Sequence, residues 1–243
     1  MPNSKKTLFI SDLHLEENRP DITAIFLKLL KNCDSGVDRL YILGDLFETW
    51  IGDDDDAPFH RSIIQALHAA TANGLAIYLM VGNRDFLIGK KFLAETGCLL
   101  LPDETKIDLY GTPVLLMHGD TLCTQDVAYL KWRRITTNPL VRAFFLFLPL
   151  SIRRNIAAKA RTKSAAHTHS ANLEIMDVTQ AEVERVMQVH NVKVLIHGHT
   201  HRPAFYEFML DGHPATRIVL DAWHEHGSVL IWNDDGTKKL VYL

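Results

Sequence analysis

Five short stretches place an acidic, amide or imidazole side chain directly after an apolar run. They are Asp12-Leu13-His14 after Leu8-Phe9-Ile10, Asp45 after Tyr41-Ile42-Leu43-Gly44, Asn83-Arg84-Asp85 after Ile77 to Gly82, His118-Gly119-Asp120 after Val114 to Met117, and His197-Gly198-His199-Thr200-His201 after Val194-Leu195-Ile196. Taken together they offer Asp12, His14, Asp45, Asn83, His118, His199 and His201: two carboxylates, one amide and four imidazoles. That set is too large for one tetrahedral ion and suits two ions of five or six ligands each, once solvent is counted. Two cations in such a site lower the pKa of a shared water and neutralise negative charge as it develops, while Arg84 can donate two hydrogen bonds to the oxygens of an anionic substrate. Four histidines must be neutral to bind metal, so activity is expected to fall as pH drops through ~6.5.

The elements that position these residues read as strands. In α/β proteins the loops beyond the carboxyl ends of strands form one rim, where residues distant in sequence converge. Asp-Xaa-His and His-Xaa-His each set their outer residues on one face if the segment is extended, because side chains alternate with period two. Gly44, Gly82 and Gly198 stand where backbone must give way to a ligand. His60, His68, His190 and His213 lack such context and read as structural; His197 and His224 lie near the site without an assigned role.

Between the strands, Pro20 to Asn32 has the apolar spacing of one helix face with Asp21 as N-cap, and Pro58 to Asn73, about Gly89 to Glu95 and about Val178 to His190 also read as helices. Lys106 to Leu109 and Val114 to Met117 read as a hairpin. The runs Phe205 to Leu210, Thr216 to Leu220, Val229 to Trp232 and Leu240 to Leu243 are expected to make a second sheet. The acidic run Asp53 to Asp56 matches no calcium loop and reads as a solvated loop or a helix N-terminus.

The alternation breaks after Thr124, and 124–172 reads as an inserted helical segment in a core formed by 1–123 and 173–243. From Val127 to Leu173 there are nine Lys or Arg and no acid, within a chain of 26 basic and 29 acidic residues, so the remainder carries 17 against 29. A basic block in an acidic protein suggests an anionic partner. Its centre, Ala143 to Leu150, is apolar on every side; it is either a buried helical hairpin or a surface kept for a lipid, with Arg142, Arg153 and Arg154 flanking. Basic residues interleaved with aliphatic rather than aromatic side chains argue against nucleic acid. No obligate protein partner is evident.

At 243 residues and 47% hydrophobic content the chain is long enough for a sizeable core, and no stretch approaches the ~18 apolar residues of a membrane span. The short basic N-terminus lacks a signal-peptide core, so a cytoplasmic location is expected. Cys33, Cys98 and Cys123 match no zinc spacing and read as reduced, mostly packed thiols.

In order and over nearly the whole chain, the five motifs resemble those of the calcineurin-like metallophosphoesterases. The resemblance implies an α/β fold, a two-sheet sandwich flanked by helices, here with an inserted helical lid. Arg84 stands where the broad superfamily usually has His after the Asn. With Leu46 to Asp54, His118 to Cys123, Ile175 to Val178 and His197 to Pro203, it resembles the branch that cleaves the pyrophosphate of a UDP-linked diacylated glucosamine in lipid A synthesis. That resemblance implies release of UMP and a lipid monophosphate, manganese as the usual activator with iron or zinc also suited to the donors, and peripheral contact with the cytoplasmic face of the inner membrane. It implies one metal on Asp12, His14 and His201, a second on Asn83, His118 and His199, and Asp45 bridging. Asp45, Asn83, Arg84 and His118 then carry catalysis. Asn83, Arg84, Asp126, Ser164, Thr168 and His199 contact substrate, and Ala171 stands where the family has Lys.

Overall fold

The computed structural model describes residues 5–33, 36–170 and 177–243, with the side chains of 163–170 outside the description. Two sheets lie face to face. The first has the order β11-β10-β1-β2-β3-β4, built from β1 (Lys6–Ile10), β2 (Val37–Leu43), β3 (Ala76–Met80), β4 (Leu99–Leu101), β10 (Ser228–Asn233) and β11 (Lys238–Tyr242). The second has the order β5-β6-β7-β9-β8, from β5 (Thr105–Leu109), β6 (Thr112–Leu116), β7 (Val194–His197), β8 (Ala204–Leu210) and β9 (His213–Val219). β1 to β4 run parallel, as do β6, β7 and β9. The tail runs therefore do not form a sheet of their own. β8 and β9 extend the hairpin sheet, whereas β10 pairs antiparallel with β1 and β11 closes that edge.

Alternating burial along each strand divides the core in three, one cluster between the sheets and one on each outer face. From β1, Phe9 points between the sheets, where it stacks on Tyr41 and meets residues such as Leu116 and Ile196; Leu8 and Ile10 point outward to the helices. The helices on that outer face are α1 (Pro20–Lys31), α2 (Pro58–Ala72) and α3 (Lys90–Thr96), while α7 (Gln180–Val189) covers the other sheet. α1 and α2 begin with proline, whose fixed φ suits a first helical turn. Asp21 lies inside that first turn, and the capping position belongs to Arg19. α3 ends on Gly97 at φ 74°, a left-handed C-terminal cap. No disulfide joins the cysteines; burial pushes the Cys98 and Cys123 thiols up to about 11 and about 12.

Between β6 and α7 come α4 (Val127–Thr136), α5 (Pro139–Phe147) and α6 (Leu150–Ser170). The buried-hairpin alternative for the apolar run does not hold. No residue of α5 is fully buried, and Leu140, Phe144 and Phe147 are 80%, 69% and 88% exposed. No described helix is long and apolar enough to cross a membrane.

The acidic run is a loop, as read, but not a simply solvated one: Asp53 and the buried Asp55 are structural partners, and Asp54 is paired although exposed. Asp53 accepts from Trp50 Nε1 and from the backbone N–H groups of Gly89, Lys91 and Phe92, so it caps the start of α3 from across the chain. Asp54 pairs with Arg153, and Asp55 lies 2.7 Å from Arg154, which together tie α6 to the core.

Candidate metal centre

Each ligand-bearing loop is clamped to its neighbours before any side chain is considered. Asp12 N donates to Gly44 O, His14 N to Asp45 O and Leu15 N to Leu46 O, and on the second sheet Gly198 N donates to His118 O. Asp85 ties two of these loops together, accepting from Gly82 N at 2.7 Å and Leu46 N at 2.8 Å. Its carboxyl is fully buried beside Asp45, and both effects push it up to about 7.

All seven expected ligands converge. Asp12, His14 and His201 form one group with donor atoms within 4.8 Å of one another; Asp12, Asp45 and His118 form a second. Asp45 lies between the histidines, Oδ2 at 4.0 Å from His14 Nε2 and Oδ1 at 3.9 Å from His118 Nε2. Asn83 Oδ1 is 3.0 Å from His118 Nε2 and 3.1 Å from His199 Nδ1. Arg84 donates its backbone N–H to Asp45 at 2.8 Å, and its guanidinium faces Glu48 at 3.3 Å. The arrangement is that of a binuclear metal centre.

The convergence does not come from strand alternation. Asp12, His14, Asp45, His199 and His201 all have left-handed backbone, with φ between 48° and 66°, so the chain coils at five of the seven ligands after its strand has ended. Such conformations cost a non-glycine residue roughly 1–3 kcal/mol each and persist only where the surroundings impose them. The neighbouring glycines supply room. A Cβ on Gly82 would collide with Asp45 Oδ1, one on Gly44 with His118 Nδ1, and one on Gly198 with Asp12 Oδ2.

The donors are prepared for cations. His118 Nδ1 faces Leu43 O at 2.9 Å, which leaves Nε2 for the site. Asp12 Oδ1 and both ring nitrogens of His14 are buried without a hydrogen-bond partner, a state costly for a polar atom; an ion would complete Asp12 Oδ1 and one nitrogen of His14. Burial opposes charge on His118, yet Asp45, Asp12 and Asp120 outweigh it and push the imidazole up to about 9; the same field draws a cation. Burial and then His118 push His199 down to about 4, leaving it neutral. Against the effect of burial, the adjacent His201 and the fields of His118 and His14 hold Asp12 well below the usual carboxylate range.

Several supporting residues escaped the sequence reading. Glu48 lies 2.9 Å from His14 Nδ1. Burial would raise its carboxyl, but His14 and Arg84 hold it below its ordinary value. Asp120 takes hydrogen bonds from Tyr129 and Arg133 of α4, and the Tyr129 ring stands 6.0 Å from that of His199. His197 is fully buried behind the site and, pushed down to about 3 by burial and Arg217, is a neutral packing residue. Asp85 and Asp120 were visible as the last letters of their motifs, whereas Glu48 stood inside the Leu46 to Asp54 stretch without a role assigned to it.

A cavity of about 220 Å³ opens beside His14, His201 and Arg84, and a second, sharing Glu16, Glu48 and Arg84 with it, is walled by Ala158, Arg161 and Thr162 of α6. Of the expected substrate contacts, Asn83, Arg84 and His199 are at the centre. Asp126 caps α4, accepting from Tyr129 N at 2.9 Å. Ser164 and Thr168 fall on α6 beyond its last described side chain, and Ala171 lies outside the described residues.

The profile of the calcineurin-like phosphoesterases matches residues 5–203. The chain belongs to that family. Among curated relatives, UDP-2,3-diacylglucosamine hydrolase of Coxiella burnetii is 53% identical over 97% of both chains. The hydrolase of the same name from Pseudomonas aeruginosa is 54% identical over 97% of this chain and 98% of its own, and that of Enterobacter sp. 50% over the same shares. Vacuolar protein sorting 29 of Cryptosporidium parvum is 12% identical with a TM-score of 0.50, covering 99% of this chain and 97% of that one, and shares the fold.

Proposed function

We propose that this calcineurin-like phosphoesterase hydrolyses the pyrophosphate bond of UDP-2,3-diacylglucosamine, giving UMP and 2,3-diacylglucosamine 1-phosphate. The observation that carries the reading is the near-full-length identity with hydrolases of that name, 50–54% across the relatives above, in a chain whose own ligand set converges. Asp12, His14 and His201 would hold one ion and Asn83, His118 and His199 the other, with Asp45 available to both. The ions are manganese, which suits mixed carboxylate, amide and imidazole donors, as iron and zinc also do. When bound, the pair supplies an activated water and a positive field for the phosphoryl oxygens.

The chain's own residues do the rest. Arg84 donates to the phosphoryl oxygens, and its backbone N–H holds Asp45 in place. Asn83 presents its amide between His118 and His199. Residues 124–172 act as the lid. Arg161 on α6 reaches the cavity that Arg84 lines, and the family resemblance assigns Asp126, Ser164 and Thr168 to the headgroup. The exposed apolar side chains of α5 meet acyl chains and the cytoplasmic face of the inner membrane, where each buried CH₂ contributes roughly 0.8 kcal/mol.

Phosphorus NMR of the protein with manganese and UDP-2,3-diacylglucosamine, run beside Asp45→Ala, tests this. UMP and the lipid monophosphate are expected only with Asp45 intact. Survival of the lipid substrate while bis-p-nitrophenyl phosphate is cleaved would remove the lipid reading.

A further inference from the structure

Glu48 stands on the loop beyond β2, and the backbone fixes its place relative to His14 before its side chain makes any contact. Glu48 N donates to Leu15 O at 3.1 Å, Leu15 N to Leu46 O at 2.9 Å, and Leu15 and Phe47 form a parallel bridge. Phe47, fully buried, stacks on Trp50 with ring centroids 4.8 Å apart, so the segment has little freedom to shift.

From that position the two carboxylate oxygens face different groups. Oε2 is 2.9 Å from His14 Nδ1, while Oε1 is 3.3 Å from Arg84 Nη1 and 3.9 Å from Arg161 Nη1 on the lid helix α6. His14 Nδ1 is buried and makes no aligned hydrogen bond, so Glu48 acts on the ring as a close ionic neighbour; a carboxylate beside one ring nitrogen of a ligating histidine biases tautomer and ring orientation and leaves Nε2 as the ligand atom. In His14 that free Nε2 is the atom turned towards Asp45. The other oxygen restrains a long, part-exposed guanidinium that would otherwise sample many rotamers.

We propose that Glu48 is a positioning residue that couples the two halves of the reaction centre: one oxygen orients the metal ligand His14, the other holds Arg84 where a phosphoryl group must arrive. Arg161 reaches the same carboxylate, so a docked α6 adds to the restraint. The proposal rests on the binuclear reading above.

Manganese alone is the probe. Titration of wild type, Glu48→Gln and Glu48→Ala, with free manganese read by electron paramagnetic resonance, is expected to show two binding events. In both variants one should weaken by about 10–100-fold and the other stay unchanged. Equal weakening of both events, or of neither, overturns the proposal while leaving the wild-type centre standing. Failure of wild type to bind two ions overturns the binuclear reading, and the proposal with it. Kinetics at saturating manganese form the second arm: Glu48→Gln should lower kcat by about tenfold in the wild-type background and have no further effect in Arg84→Ala. The same fold-loss in both backgrounds would mean that Glu48 does not act through Arg84. The isosteric Glu48→Gln keeps both arms informative if the alanine variant fails to fold.

Discussion

Arg153→Met separates the attachment of the lid from the chemistry of the site. Arg153 is only 2% exposed, although its partner Asp54 is 58% exposed. Its Nε donates to Leu148 O at 2.8 Å, closing the turn between α5 and α6, and Nη1 donates to Ile51 O at 2.7 Å, crossing from lid to core. Methionine preserves the apolar stem and removes every donor. The Ile51 carbonyl, on a buried residue, then loses its lid partner at roughly 1–3 kcal/mol. The Leu148 carbonyl is nearer water and costs less, and the exposed Asp54 recovers solvent, so its ion pair counts for ~0–1 kcal/mol. A total of about 2–4 kcal/mol corresponds to roughly 30-fold to 1,000-fold more frequent undocking of α6. Native-state hydrogen exchange reads this directly: amides of α6 should exchange faster by that factor while those of β1, β2 and β7 keep their wild-type rates. Unchanged α6 exchange would refute the assignment of Arg153 as the anchor, and equal acceleration in the strands would mean that it holds the whole fold.

Two further outcomes follow from the site and the lid. In metal-free protein His118 titrates near 9, above its ordinary value, so its protonation stabilises the fold fully below about 6.5 and that contribution is lost as pH rises through about 9. The metal-free melting temperature should fall across that window, while manganese affinity, which must displace the proton, should rise about tenfold per pH unit for one proton released; calorimetry in buffers of different ionisation enthalpy counts that proton. Phe144→Ser with Phe147→Ser removes two exposed side chains, so thermal stability should stay within about 0.5 kcal/mol of wild type while sedimentation with anionic vesicles drops several-fold. Unchanged vesicle binding would take α5 out of the membrane contact.

The strand-end motifs were legible because they combine a local signal, an apolar run, with side chains that have little reason to sit together unless an ion joins them. The path of the chain at those ends was not. Alternation predicts that Asp12 and His14 share a face of an extended segment, yet both adopt left-handed backbone, because the loops beyond β1 and β2 are hydrogen-bonded to each other and coil as one. Strand partners were equally hidden. Nothing local in Val229 to Trp232 tells it to pair with β1 rather than with β9, since that choice rests on contacts more than two hundred residues apart. The acids from Asp53 to Asp55 misled for the same reason: their partners, Gly89, Arg153 and Arg154, arrive from distant elements. On α5 the composition was clear, but only the fold decides whether an apolar helix has anything to pack against.

The left-handed backbone at Asp12, His14, Asp45, His199 and His201 has an evolutionary consequence. Glycine adopts that conformation freely, and asparagine tolerates it better than most residues. At these positions it would relieve backbone strain. Selection for thermal endurance without ions would therefore push the chain towards Gly and Asn at its ligands. The site is a set of local defects in an otherwise self-consistent fold, and a sequence drifting under stability alone would erase its chemistry first while its two sheets grew stronger.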